Sequence, residues 1–140
     1  LSLDNLTLAG YVEEPEKVAL FKLARAVVFP SHLRSEAFGV TLLEGAMHSK
    51  PLISTEVGSG TSYVNLHEET GLVVAPGDVN ALRAAMDQLY QRADIAKIMG
   101  QQARNRFEQL FTDRLMGERY VQTYRDLAES KMLTSTPNFE

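Results

Sequence analysis

The sequence predicts an α/β protein in which a parallel sheet is followed by a helical tail. In the first 80 residues, short apolar segments alternate with amphipathic ones, whereas the apolar residues beyond residue 78 recur only at helical spacing. Strands that alternate with helices pair in parallel, because each crossover helix carries the chain back to the end of the sheet at which the previous strand began. The 140 residues suffice for one domain with a core of useful size.

Four segments have the composition of strands. Residues 6–12 are rich in strand formers and end at a turn-like Glu-Glu-Pro sequence. Residues 26–30 form a continuous apolar run that a proline stops, which is typical of a strand buried on both faces. Residues 51–55 and 71–75 are predicted to be two further strands, and a turn follows the last of them.

Helices are predicted where apolar residues recur at intervals of three and four. Pro15 fits the first turn of a short helix that includes Glu16. Asp78 is a candidate N-cap, because its carboxylate can accept a hydrogen bond from a free N–H group of the first turn. A glycine loop is expected at residues 58–61. The other predicted helices cover 39–48, the segment after Asp78, 93–110 and 113–131.

The predicted sheet is short for a complete nucleotide-binding domain. Doubly wound domains have about five or six parallel strands, and only four can be placed here. We therefore expect residues 1–90 to be a partial, Rossmann-like domain whose other strands precede Leu1. Residues 91–131 are expected to be helices that pack on it, and residues 132–140 a flexible tail. The initial Leu fits a chain cut from inside a longer polypeptide.

Composition excludes several classes of protein. The net charge of −4 argues against a dedicated nucleic-acid binder. Without cysteine there are no disulfides, zinc–thiolate sites or cysteine nucleophiles. No apolar run approaches the ~18–20 residues that span a bilayer, so a soluble, cytoplasmic location is expected. No metal site is predicted, because no helical metal pair can be formed from His32, His48 and His67.

Two acidic residues flank a predicted helix N-terminus that follows a buried strand. The free N–H groups around residues 38–41 form a partly positive site suited to a phosphate. Glu36 lies just before this turn, and Glu44 lies about one turn inside the helix, where side chains lean back toward the N-terminus. Carboxylates beside a phosphate are suited to hydroxyl donors such as a cis-diol. A phosphate between two polyols describes a nucleoside diphosphate sugar.

Four ordered blocks of this sequence resemble a known family. Residues 29–47 read FPSHLRSEAFGVTLLEGAM and are followed by KPLIS at 50–54. AGYV stands upstream at 9–12, and ETGLVVAPGD stands downstream at 69–78. These blocks resemble the family-4 retaining glycosyltransferases (group 1) of GT-B fold, whose hallmark is two glutamates separated by seven residues. The resemblance covers roughly residues 6–89 and implies the second half of a GT-B C-terminal, donor-binding domain.

The resemblance also implies roles for individual residues. Glu36 would contact hydroxyls of the donor sugar, and Glu44 would contact the ribose diol. The backbone of Phe38, Gly39 and Val40 would hold the diphosphate. The base would be bound by Tyr11, Val12, Glu14 and Lys17. No catalytic residue is assigned within this chain.

The activity implied is that of a metal-independent, retaining hexosyltransferase without a cofactor. It would move a hexose or N-acetylhexosamine from a UDP- or GDP-sugar to a growing, lipid-linked glycan such as O-antigen, lipopolysaccharide or capsule, in the cytoplasm or at the cytoplasmic face of the inner membrane. The family's diphosphate-clamping Arg and Lys and its acceptor-binding N-terminal domain come earlier in the chain. We therefore expect these 140 residues alone to be inactive.

Other interpretations stay open. Glu36 alone could be a solvated loop acid, and Glu44 an exposed helical one. A non-catalytic nucleotide-binding or interaction module could use the same scaffold, since fold does not fix function. A non-hydrolysing sugar epimerase shares the GT-B architecture, although no motif favours it. His32 and Arg34 are further candidates for a substrate contact, and an exposed sheet edge could pair with a second copy to form a dimer.

Overall fold

The computed structural model of the protein describes residues 3–134, with side chains as far as residue 130. Three parallel strands form one sheet in the order β1-β2-β3. They are β1 (Val27–Phe29), β2 (Leu52–Thr55) and β3 (Gly71–Val74). All four residues of the central strand β2 are buried, as expected of a parallel strand covered on both faces. The predicted α/β class and three of the predicted strands are confirmed.

Residues 6–12 do not form the strand that their composition predicts. They have no strand assignment, and the side chains of Leu8 and Tyr11 are both 87% exposed. A strand needs a neighbour that satisfies its backbone N–H and C=O groups. Within residues 3–134 this segment has no such neighbour, so it does not form a strand despite its composition.

The first strand also departs from its prediction. Val28 is 36% exposed, so β1 is not buried on both faces. Within residues 3–134, β1 pairs with β2 alone, and the face of the sheet to which Val28 points is left partly open. Beside it, a cleft of about 280 Å³ opens along one face, lined by Val28, Ile53 and Leu89 among others.

Six helices accompany the sheet in the described part of the chain. Helix α1 has Pro15 in its first turn, as predicted, and it begins at Glu14, where the Glu13 N–H donates to the Glu16 carboxylate (2.9 Å) in a capping box. The predicted N-cap Asp78 is confirmed, since its carboxylate accepts from the Ala81 N–H at 2.9 Å. The helices are α1 (Glu14–Leu23), α2 (Val40–Met47), α3 (Thr61–Val64), α4 (Val79–Gln91), α5 (Ala93–Leu110) and α6 (Asp113–Thr134).

The core lies on both faces of the sheet. Leu52 and Ile53 are consecutive residues of β2, so their side chains point to opposite faces, and each belongs to a different buried cluster. Helix α5 contributes to both clusters, through Ala103 to the first and through Met99 to the second. The first cluster also contains Leu42 of α2 and thereby fixes that helix against the sheet.

Helix α6 differs from α5 in its surroundings. Its side chains are exposed from Met116 to Ser130, and among residues 113–130 only Leu115 is half-buried. The predicted division into 1–90 and 91–131 stays a prediction. The tail predicted at 132–140 lies outside the described residues from position 135 onward.

Candidate functional site

The loop between β1 and α2 ends on the candidate anion-binding turn. Gly39 is the N-cap of α2 and has φ 81°, a left-handed conformation that glycine adopts without strain. The Glu36 carboxylate folds back on this turn, where its Oε1 accepts from the Gly39 N–H at 2.9 Å and from the Phe38 N–H at 3.4 Å. Glu36 is half-buried and Val40 is exposed. A carboxylate therefore already occupies N–H groups that the sequence assigns to a phosphate.

Glu44 lies in the second turn of α2 and contacts helix α1. Its Oε1 accepts from Lys17 Nζ at 2.7 Å, and the same ammonium lies 2.9 Å from Glu14 Oε2. The hydrogen bond to Glu44, followed by that to Glu14, raises the pKa of Lys17 above its usual range. Lys17 is therefore charged at neutral pH, and the two carboxylates share one cation.

The structure brings together some of the predicted site residues and leaves others apart. Glu14 and Lys17, predicted to bind the base, adjoin Glu44, predicted to bind the ribose. Val12 is half-buried just before α1, whereas Tyr11 is 87% exposed. His32 and Arg34 are exposed in the loop before Glu36.

Two supporting contacts of this region were not predicted from the sequence. The Gly60 N–H donates to the Ala37 carbonyl at 2.9 Å, and a Cβ on Gly60 would lie 2.7 Å from that oxygen. The glycine loop of residues 58–61 thus supports the turn before α2, and its only signal in the sequence was the glycines themselves. His48 stacks on Phe21 with ring centroids 5.3 Å apart and ties α1 to the end of α2.

An apolar cleft lies beside the candidate site. It encloses about 430 Å³ between the Phe38 ring, the end of α5 and the start of α6. Phe111 meets Phe38 edge-on, with ring centroids 5.9 Å apart. The Phe38 side chain is therefore a packing residue, while its backbone N–H faces Glu36.

Among residues 3–134, no three His, Cys, Asp or Glu side chains lie together as a metal would require. Within the same range, no helix combines the length and apolar character needed to cross a bilayer.

The fold and the site define an α/β domain of the Rossmann-like kind, with polar groups at the carboxyl edge of its parallel sheet, where such domains bind ligands. The sequence profile of the family "Glycosyl transferases group 1" matches residues 1–106. The chain belongs to this family.

Two relatives by sequence agree with this assignment. The chain is 55% identical over 112 residues to the D-rhamnosyltransferase WbpZ of Pseudomonas aeruginosa, covering 80% of this chain and 29% of that protein. It is 47% identical over 129 residues to the O-antigen chain mannosyltransferase C of Escherichia coli, covering 92% of this chain and 35% of that protein. The chain thus spans about a third of the length of these relatives.

Solved structures match the fold. A sucrose-phosphate synthase from Thermosynechococcus elongatus has a TM-score of 0.81 at 29% identity, covering 91% of this chain and 31% of that chain. Anabaena HepE, solved in complex with UDP, has a TM-score of 0.72 at 18% identity, covering 76% of this chain and 29% of that chain. The structural neighbours are GT-B glycosyltransferases with Rossmann-like domains.

Proposed function

We propose that this chain is the donor-binding part of a retaining, metal-independent glycosyltransferase. It transfers a hexose or N-acetylhexosamine from a UDP- or GDP-sugar to a growing, lipid-linked glycan of the O-antigen or capsule type. Two relatives named as an O-antigen chain mannosyltransferase and a D-rhamnosyltransferase support this class of product. The reaction takes place in the cytoplasm or at the cytoplasmic face of the inner membrane, where lipid-linked acceptors are accessible.

The observation that carries the proposal is the arrangement of two acids around the N-terminus of α2, Glu36 in the loop before it and Glu44 within it. Glu36 caps the helix N-terminus, and Glu44 follows in its second turn beside Lys17. In the proposed complex, the diphosphate binds the N–H groups of Phe38, Gly39 and Val40, because the helix N-terminus is partly positive. Glu36 then binds sugar hydroxyls and Glu44 the ribose diol, since carboxylates are strong acceptors for hydroxyl groups.

The base occupies the surface beside α1. Val12 offers a half-buried apolar contact, while Glu14 lies within 2.9 Å of Lys17 Nζ at the same end of the helix. Tyr11 is exposed to 87%, which leaves its ring free to cover a bound base. These contacts adjoin Glu44, as the covalent link between base and ribose requires.

The decisive experiment is donor binding by the complete polypeptide that carries this sequence. Calorimetry compares the binding of UDP, GDP and their sugars to wild type, Glu44→Ala and the control Glu69→Ala, whose side chain is exposed in the turn before β3. Glu44→Ala is expected to weaken donor binding roughly 10- to 100-fold, since hydrogen bonds to a charged group contribute about 1.5–3 kcal/mol. Equal affinities for wild type and Glu44→Ala would refute the ribose assignment, and donor binding without sugar transfer would indicate a non-catalytic module.

The isolated chain is expected to transfer no sugar. In the family it resembles, the cations that clamp the diphosphate and the acceptor-binding domain lie outside the corresponding segment. Without such cations, the charge that develops on the leaving diphosphate is poorly stabilised. A radiolabelled-donor assay that detects turnover by the 140 residues alone would contradict this expectation.

A further inference from the structure

We propose that Lys17 is a positioning residue that holds the Glu44 carboxylate for the ribose diol. The inference rests on the proposed function, in which Glu44 binds the ribose. It adds a second role to a residue that the sequence assigns only to the base.

The hydrogen bond between the two side chains engages one of the two oxygens of the Glu44 carboxylate. Lys17 Nζ donates to Glu44 Oε1 at 2.7 Å, and among residues 3–134 no hydrogen bond to Oε2 is found. One oxygen is therefore held, while the other keeps its lone pairs for a ligand. A carboxylate fixed at one oxygen binds a diol with less loss of side-chain freedom than one that rotates.

The pair is anchored on two rigid elements rather than on loops. Lys17 belongs to α1 and Glu44 to α2, and both side chains are largely shielded, with 34% and 28% of their surfaces exposed. The same helices are held together by the stack of Phe21 on His48, whose Nδ1 lies 2.8 Å from the Glu44 carbonyl. Phe21 also packs against the core cluster that contains Leu42 of α2, so this ring fixes α1, and with it Lys17, relative to Glu44.

Electrostatics favour the same role. Glu14 and Glu44 both lie within 3 Å of the Lys17 ammonium, so a neutral residue at position 17 would leave two neighbouring carboxylates uncompensated. Uncompensated carboxylates beside the negatively charged nucleotide sugar disfavour its binding, because like charges repel. Lys17 reduces this repulsion, because its ammonium lies between the two carboxylates.

A positioning role and a base contact predict different effects on sugar-modified nucleotides. If Lys17 only contacts the base, its removal weakens the binding of a ribonucleotide and of its 2′-deoxy counterpart by the same factor. The two pairs are UDP with 2′-deoxy-UDP and GDP with 2′-deoxy-GDP. If Lys17 also positions Glu44, its removal weakens binding of the ribonucleotide more than binding of the deoxy compound, because the deoxy compound lacks one hydroxyl of the diol.

The experiment measures the affinities of the complete polypeptide for these four nucleotides by calorimetry. The variants are Lys17→Met, the conservative Lys17→Arg, and the control Lys22→Met on the exposed face of the same helix. Lys17→Met is expected to reduce the preference for ribose over 2′-deoxyribose about 3- to 10-fold, the range that one lost hydrogen bond produces. Lys17→Arg should retain most of the preference, and Lys22→Met should retain all of it.

A Glu44→Gln background keeps the test valid if Lys17→Met alone perturbs α1. There, Lys17→Met should cause no further change in the ribose preference. A wild-type preference that Lys17→Met leaves unchanged overturns this inference while the proposed function stands. A wild type that binds nucleotide without any ribose preference overturns the role of Glu44 as well, and a wild type that binds none of the four nucleotides overturns the proposed function itself.

Discussion

The Glu36 carboxylate occupies N–H groups that the proposed donor complex needs for its diphosphate. It accepts from Gly39 at 2.9 Å and from Phe38 at 3.4 Å. A diphosphate that binds the turn must displace this carboxylate, because two anions cannot share the same donors without repulsion. In a complete donor, the displaced Glu36 gains sugar hydroxyls as new partners, whereas free nucleoside diphosphate offers it none.

Glu36→Gln should therefore have opposite effects on two ligands of the complete polypeptide. The neutral amide competes less well for the turn, so the affinity for free UDP or GDP is expected to rise about 3- to 10-fold. The affinity for the corresponding nucleotide sugar is expected to fall, because a charged acceptor is lost. Calorimetry with both ligands measures the two signs, and Glu68→Gln, on an exposed turn, is the matched control. A parallel fall in both affinities would mean that Glu36 mainly shapes the loop.

Part of the site could be predicted residue by residue, and part could not. The spacing of Glu36 and Glu44 around a helix N-terminus was visible in the sequence, because eight positions along one segment fix their relation locally. The contact of Glu44 with Lys17 was not, since 27 positions separate them and only the tertiary fold brings them together. The support of Ala37 by Gly60 escaped prediction for the same reason.

At the scale of elements, helix α5 depends on a close approach to the turn after α2. Gly100 is buried in α5, and a Cβ there would overlap the backbone carbonyl of Ser49 and lie 3.2 Å from Pro51. Backbone cannot move aside as the tip of a side chain can. The absence of a side chain at Gly100 therefore sets the distance between α5 and the core.

Gly100→Ala is expected to lower the free energy of unfolding by about 1–3 kcal/mol, the usual cost of overpacking. Gly117→Ala is the matched control on α6, because the Cβ it would add meets open space among the described residues. That variant should be neutral or stabilise the helix by about 0.5–1 kcal/mol, since alanine is the better helix former. Urea unfolding of both variants measures the difference, and equal effects would show that α5 has room at Gly100.

The helices that were predicted correctly are long, so their pattern of apolar residues extends over many positions. Helix α5 has the predicted bounds, and α4 follows its N-cap Asp78, because apolar periodicity accumulates over several turns. The four-residue helix α3 is too short to show a period, and it follows a glycine loop. Residues 6–12 show the opposite limit, because strand formers do not make a strand without a neighbouring strand.

On the scale of the whole molecule, the sheet formed by the described residues has two edge strands. With the order β1-β2-β3, both β1 and β3 are edge strands within the described residues. Val28 on β1 is partly exposed beside the cleft that Leu89 and Ile53 line. An apolar edge of this kind is a template for pairing with another chain.

The isolated chain is therefore expected to associate with itself through β1. Sedimentation at increasing concentration should show a dimer that Val28→Lys weakens, because a lysine on an edge strand disfavours strand pairing. Leu8→Lys adds the same charge at a position that is 87% exposed and should leave the association unchanged. A chain that is monomeric at all concentrations, or a dimer that both variants weaken equally, would exclude β1 as the interface.

Helix α2 has a consequence for how this family can diversify. Of its eight residues, Leu42, Gly45 and Ala46 are buried, while Glu44 contacts Lys17. Half of its positions therefore cannot change without harm to the interior or to the contact with Lys17. Changes that alter the choice of sugar are therefore expected to be tolerated best in the largely exposed residues 30–35, which precede Glu36 and lie outside α2.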